Sequence, residues 1–239
     1  MARAATAAVL LGLVLAPACG GPGLAAEDRA PVFRVESWGT MREALRDRHS
    51  EARVRLGGLA SDGAIGVGAL AGLAGEVTIA NGSVWVARVD GGARRTTEAT
   101  ADDAATLLVR AEVASWREVP LPDLASYDAL ESAVAAALVR EGFDPSEPTP
   151  VRVTGRATHL ELHVIHGACP IAHPEGPPPW RFAGAVDRVE LVGFHVEGAG
   201  GSLTHHGRRS HLHVLADGGT GHLDAVSLED AVLYVPTGR

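Results

Sequence analysis

Alternation of apolar and polar positions dominates this chain, and the helical period is rare. In EVTIANGSVWVARVDG, residues 76–91, Val77 and Ile79 alternate with Glu76 and Thr78, and Val84, Val86 and Val89 follow beyond Asn81-Gly82. Two alternating runs joined by an Asn-Gly pair predict a β-hairpin. TLLVRAEVASW, from Thr106, predicts a further strand. After Pro150 the strand pattern recurs in VRVTG, THLELHVIH, DRVELVGFHVEG, SHLHVL, GHLDAV and AVLYV. Within THLELHVIH, His159, Glu161 and His163 share one face, and Leu160, Leu162 and Val164 share the other.

The helical period is clearest in SYDALESAVAAALVREG. Leu130, Val134 and Leu138 fall four apart, Asp128 and Glu131 lie near the start, and Gly142 ends the run. A shorter helix is expected after Trp38, where Thr40 and Glu43 form a capping-box pattern. Leu56–Gly75 is apolar and Gly-rich. Its glycines do not suit a helix interior, so turns and closely packed backbone are expected there. No Lys-Ser/Thr pair closes that stretch, which argues against a phosphate loop.

The fold class these patterns predict is α+β: two strand-rich sub-domains with mixed or antiparallel sheets and few helices. The Pro-rich FDPSEPTP puts a boundary near Pro150, between an N-terminal α/β sub-domain over 32–150 and a β-rich sub-domain over 151–239. Plentiful glycine (29) and proline (14) agree with short strands and many turns rather than a helical bundle.

Residues 1–18 have a different character. Arg3, an apolar run from Ala5 to Ala16 and the small residues after it read as a signal peptide. The run is shorter than the ~20 residues that cross a bilayer. Ala16-Pro17-Ala18 suits an ordinary cleavage site. LAPAC also approximates a lipoprotein box, with Cys19 lipidated, residues 19–31 as a linker, and the protein tethered to a membrane. An exported protein is expected on either reading, periplasmic, cell-surface or secreted. The second cysteine, Cys169, sits in no metal-type pair, and spacing alone does not support a Cys19–Cys169 disulfide. A net charge of −8 without a basic stripe speaks against a nucleic-acid partner.

The candidate chemistry lies in SHLHVLADGGTGH. His211 and His213 point to one side of a strand, roughly 6.5–7 Å apart at about 3.3 Å per residue. A turn through Asp217-Gly218-Gly219 would bring His222 onto the adjacent antiparallel strand. Three imidazoles so placed can hold one zinc ion and leave positions open for a reactant. The same spacing also suits ordinary polar residues on a wet strand face, in a chain with 11 histidines.

Beyond spacing, these segments resemble the alpha-acetolactate decarboxylases. The family's Gly-rich G-x-G-T-F-x-x-L-x-G-E-M run is matched by Gly66, Gly68, Leu73, Gly75 and Glu76, with Asn81-Gly82 at the following turn. VELVGFHVEG is similar to its G-T-L-V-G-F segment, and SHLHVLADGGTGHLDAV to its Y-H-L-H-F…D…G-G-H-V-L-D ending. The resemblance runs from about Val32 to Pro236. It implies metal ligation by His211, His213 and His222, with Glu76 as the carboxylate near the metal. It also implies a zinc-dependent conversion of 2-acetolactate, a small 2-hydroxy-3-keto acid, to acetoin and CO2, and it makes a homodimer plausible. Zinc would stabilise the charge that develops as CO2 leaves, and Glu76 would manage the proton.

The chain departs from the family at His163, eight residues after Gly155, where the family carries an arginine. An imidazole is not equivalent to a bidentate guanidinium. The tail that supplies a further glutamate in the family has no counterpart before Arg239. These changes leave room for altered or weak activity, with His163 as a candidate catalytic residue; His163, His159 and Glu161 form either a rebuilt polar wall facing the metal or simply a wet strand face. The alternative is a non-catalytic exported protein that binds a metal or small ligand on the same scaffold. HLHVLADGGTGHL also resembles the ending of a DNA-associated domain, a reading that the acidic charge and the leader oppose.

Overall fold

The computed structural model describes residues 33–169 and 172–237. The leader over 1–18, Cys19 and the linker over 19–31 lie outside the described residues. The described residues form one compact unit built on two sheets, and every pairing between named strands is antiparallel.

The first sheet holds β1 (Val35–Trp38), β2 (Val54–Arg55), β3 (Ala64–Leu70), β4 (Glu76–Ala80), β5 (Ser83–Asp90), β6 (Ala93–Glu98) and β7 (Ala104–Glu112). Its order is β1-β7-β3-β4-β5-β6, with β2 also on β7. The β4–β5 hairpin turns where the sequence predicts. Asn81 (φ 53°) and Gly82 (φ 77°) are both left-handed, which matches the twist of the flanking strands.

The apolar, Gly-rich stretch holds more than turns, because its second half is β3, buried at every position. Gly68 shows why glycine is used in this strand. A Cβ there would lie 2.0 Å from the Leu107 carbonyl oxygen of neighbouring β7. Before this sheet begins to stack, the expected short helix is a single turn, Arg42–Arg46. Its start is closed reciprocally: the Thr40 N–H donates to Glu43 Oε2 (3.0 Å) and the Glu43 N–H to Thr40 Oγ1 (3.2 Å).

The second sheet holds β8 (Trp116–Pro120), β9 (Thr149–Val164), β10 (Trp180–His195), β11 (Ser210–Ala216) and β12 (Gly219–Pro236). Its order is β11-β10-β9-β12-β8, and β11 also pairs with β12. Four strands therefore close on themselves around one core. VRVTG and THLELHVIH are two parts of the single strand β9, and GHLDAV and AVLYV are two parts of β12. The register slips where these parts join, so bulges bend each long strand.

Helix α1 (Tyr127–Arg140) packs on this second sheet. Ser126 Oγ accepts the Ala129 N–H at its start (3.1 Å), and Gly142 (φ 86°) follows its end. Leu130, Val134 and Leu138 join Val153, Leu160 and Leu233 in one core. Full burial of each such side chain contributes about 1.5–3 kcal/mol. The passage between sheets thus falls at Val113–Ser115. The boundary expected near Pro150 cuts into the second sheet's own core, because β8 and α1 already belong to it. Val67, Val109 and Ala111 of the first sheet meet Val192 and Phe194 of the second, which joins the two layers.

Candidate metal centre

Strand β11 has two well-sorted faces. Leu212 and Val214 enter the core of the second sheet. Ser210, His211 and His213 are buried too, and the two histidines face the first sheet. His213 stands opposite His222 on β12, and His222 stands opposite His163 on β9. Cross-strand pairing therefore sets His213, His222 and His163 in one row, with His211 one step along β11. Ring centroids are 5.2 Å apart for His211–His213, 5.3 Å for His211–His222, 5.5 Å for His213–His222 and 5.0 Å for His163–His222. One nitrogen from each of His211, His213 and His222 falls within 4.8 Å of the other two.

Glu76 comes from the opposite sheet. It opens β4, where Val77 and Ile79 face a core within the first sheet and Glu76 and Thr78 face the histidines. Glu76 is 4% exposed. Its Oε1 accepts the Ile165 N–H at 3.1 Å, and its Oε2 lies 3.8 Å from His213 Nε2. Just before it, Gly75 lets the start of β4 lie close against β5, since a Cβ there would meet the Ala87 carbonyl oxygen at 2.0 Å. Thr78 orients the ring that Glu76 faces. Its hydroxyl sits 2.9 Å from His213 Nδ1 and 2.7 Å from Thr220 Oγ1.

Burial sets the charge states. Desolvation, followed by the positive charges of neighbouring imidazoles, pushes His213 down to about 3 and holds His211 and His222 well below the ordinary histidine value. All three are neutral at pH 7, as metal ligation requires. Desolvation raises Glu76 to about 7, against the lowering pull of His163 and the Ile165 N–H. At His163 burial is the largest single influence and lowers the value, but a 2.8 Å hydrogen bond between Nδ1 and Asp224 Oδ1, together with the charges of Glu76 and Asp224, outweighs it and raises the value. His163 therefore holds its proton more firmly than a free histidine. Arg181 donates to the other Asp224 oxygen at 3.0 Å.

The donor set fits a metal ion. His211 Nδ1 and His213 Nε2 are buried without a hydrogen-bond partner. Such orphaned nitrogens are costly unless something fills the space between them. Three neutral imidazoles with a carboxylate beside them suit zinc or a similar borderline ion and leave a coordination position for a reactant.

The structure brings together the five residues that the sequence singles out: Glu76, His163, His211, His213 and His222. It does not bring His159 or Glu161 to them. Those two pair with each other at 3.1 Å on an exposed part of β9, about half solvent-accessible. Asp224, Thr78 and Thr220 are site residues that the motifs do not single out. Alternation could have found Asp224, two positions after His222. A fifth imidazole, that of the partly buried His205, also lines the cavity; burial and the charge of His163 push it down to about 4.

Fold and site define an antiparallel two-sheet protein with a buried three-histidine group able to hold a metal. The chain belongs to the alpha-acetolactate decarboxylase family, whose profile matches residues 39–174, more than half of its length. That match contains Glu76 and His163 and ends before His211. Among solved structures, the chain is similar to a Staphylococcus aureus protein of unknown function described as similar to alpha-acetolactate decarboxylase. The two are 20% identical, with 84% of each chain covered and a TM-score of 0.65. It is also similar to alpha-acetolactate decarboxylase from Bacillus subtilis strain 168 (18% identity, 85% of each chain, TM-score 0.69). The enzyme from B. subtilis subspecies spizizenii is alike to the same degree (17%, 86% of each chain, 0.67). At these identities the likeness is one of fold. No curated protein matches the chain in sequence.

Proposed function

We propose that this protein is a zinc-dependent carboxy-lyase that converts 2-acetolactate, or a close 2-hydroxy-3-keto acid, to its hydroxyketone and CO2. The observation that carries the reading is the convergence, in one buried pocket, of three imidazoles, two of them with unpartnered nitrogens, and a carboxyl group that burial raises to about 7. His211, His213 and His222 would hold the ion. Bound zinc would supply a Lewis acid for the substrate's oxygens.

The remaining work falls to side chains. His163, whose proton is held by a hydrogen bond to Asp224, stands where the family carries arginine and would orient the substrate carboxylate. When the carboxylate leaves as CO2, the bonding electron pair stays with the substrate, and the α-carbon must then gain a proton. Glu76 suits that step: it is the buried carboxyl beside the histidines, and in the metal-free protein burial raises it to about 7, so it can hold a proton as well as release one. The Ile165 N–H fixes one oxygen and leaves the other turned to the site. Met41, Leu45 and Ile165 line the inner cavity and limit water. Export is part of the proposal and rests on the leader alone; cell fractionation tests it.

The direct experiment uses the chain without residues 1–26. Bound zinc is measured, and acetoin is assayed from racemic 2-acetolactate. Acetoin release that Glu76→Gln abolishes while zinc stays bound is the expected result. Zinc-loaded protein that forms no hydroxyketone from any 2-hydroxy-3-keto acid would replace the enzyme reading with that of a metal or ligand binder. The substitution of histidine for the family arginine is the feature that favours that second reading.

A further inference from the structure

The three-histidine group lies at the bottom of two connected spaces. The inner one is small, about 40 Å3, and is lined by Glu76, His163, His211 and His222 among others. The outer one, about 390 Å3, opens between the Arg42–Arg46 turn and the segment joining β10 to β11. Met41, Leu45, Cys169 and His205 line both spaces, so these four form the neck between them. Of the four, only His205 carries a good nitrogen donor.

His205 is held there by its loop. Gly201 N–H donates to the Thr204 carbonyl (2.7 Å), Arg208 N–H to the His205 carbonyl (3.0 Å), and Thr204 Oγ1 to the Arg208 carbonyl (2.9 Å). From outside the loop, the Met41 and Arg42 N–H groups donate to the Ser202 and Gly201 carbonyls. Thr204 is fully buried, and Leu203 packs into the core between the sheets. A chain so anchored turns His205 inward and leaves His206 exposed. The His205 ring has no hydrogen-bond partner among the described residues. Its centroid is 4.8 Å from that of His222 and 6.2 Å from that of His211, so the ring borders the three-histidine group, whose own donor atoms lie within 4.8 Å of one another.

We infer that His205 is a fourth, replaceable nitrogen donor to the metal, supplied by a loop at the mouth of the site. The three strand histidines are fixed by sheet register, whereas His205 is fixed only by its loop and can leave. Four-coordinate zinc is usually closed, and catalytic zinc keeps one position open. A loop ligand meets both needs: the ion is closed at rest, and its fourth position is yielded to a reactant entering through the neck. This inference rests on the metal half of the reading above and not on its chemistry.

X-ray absorption at the zinc edge tests it on the resting, zinc-loaded chain. Four imidazoles are expected in the parent protein, and three with an oxygen ligand in His205→Ala. Competition with a chromophoric chelator should show zinc binding weakened at least about tenfold in His205→Ala and unchanged in His206→Ala. Three imidazoles in the parent protein would overturn the inference while leaving the three-histidine site intact, and so would equal zinc affinity in the parent and His205→Ala. If His205→Ala does not fold, the imidazole count of the parent decides alone. A parent chain that binds no zinc removes both the inference and the metal reading.

Discussion

Glu131 gives the sharpest quantitative test of how the strand that carries His211 and His213 is held in place. It lies in α1, is 3% exposed, and its Oε1 accepts the N–H groups of Arg209 and Ser210, each at 2.8 Å. Its other oxygen is 3.8 Å from the Arg208 guanidinium. One carboxylate thus ties the helix to the first residues of β11, directly before His211. Each hydrogen bond to a charged group contributes about 1.5–3 kcal/mol, and Glu131→Ala leaves two donors without an acceptor. Water reaches part of the Arg208–Arg209 backbone, so the lower end applies, and the expected loss is about 3 kcal/mol. Glu131→Gln keeps one oxygen in place but not the charge, and about half that loss is expected. Urea unfolding of the metal-free protein measures both, with the slope unchanged. In a domain of this size the alanine variant should melt about 6–12 °C lower. Zinc affinity should fall in the same order, alanine below glutamine below parent. A loss under about 1 kcal/mol in Glu131→Ala, or equal losses in the two variants, would refute the account.

Other outcomes follow from the same geometry. Thr78→Val removes the hydroxyl beside His213 Nδ1 and should weaken zinc binding about tenfold in a chelator competition, with the ion still held by the same histidines as in the parent. His213→Ala should lose zinc altogether, read by metal analysis after gel filtration. Gly68→Ala would push a Cβ against the Leu107 carbonyl and should lower the unfolding midpoint severely or prevent soluble expression. His195 is lowered from 6.5 to about 4, first by burial and then by Arg209. The unfolded chain therefore takes up that proton first, and stability is full above pH 6.5 and falls as pH drops toward 4. The contribution is up to about 3 kcal/mol, and His195→Asn should show a correspondingly shallower acid limb in unfolding measured across pH.

Much of the second sheet is legible in the sequence, because its strands carry one apolar and one polar face. The three-histidine group is legible for the same reason: positions 211 and 213 share a face, and the short turn at Asp217-Gly218 fixes His222 opposite His213. Strand β3 is not legible. Both its faces are buried, so no alternation marks it, and Gly66 and Gly68 resemble turn residues although they serve close packing. His159 and Glu161 alternate correctly with His163, but the exposed positions of β9 lie in its middle, between two buried ends, and alternation does not report which stretch of a strand is covered. Glu131 looks like an acid at a helix start; only the tertiary fold shows that it serves another strand. His205 sits in SLTHHGRRS, a loop with no period, where nothing local separates an inward histidine from its outward neighbour.

Glu76 stands on one sheet, and the imidazoles it faces stand on the other. The candidate metal centre is therefore the seam of the molecule. Neither layer alone owns a complete set of groups, so the site exists only when the halves dock. An ion caught there would act as a rivet, and whatever pries the layers apart would empty the centre before it unravels either sheet.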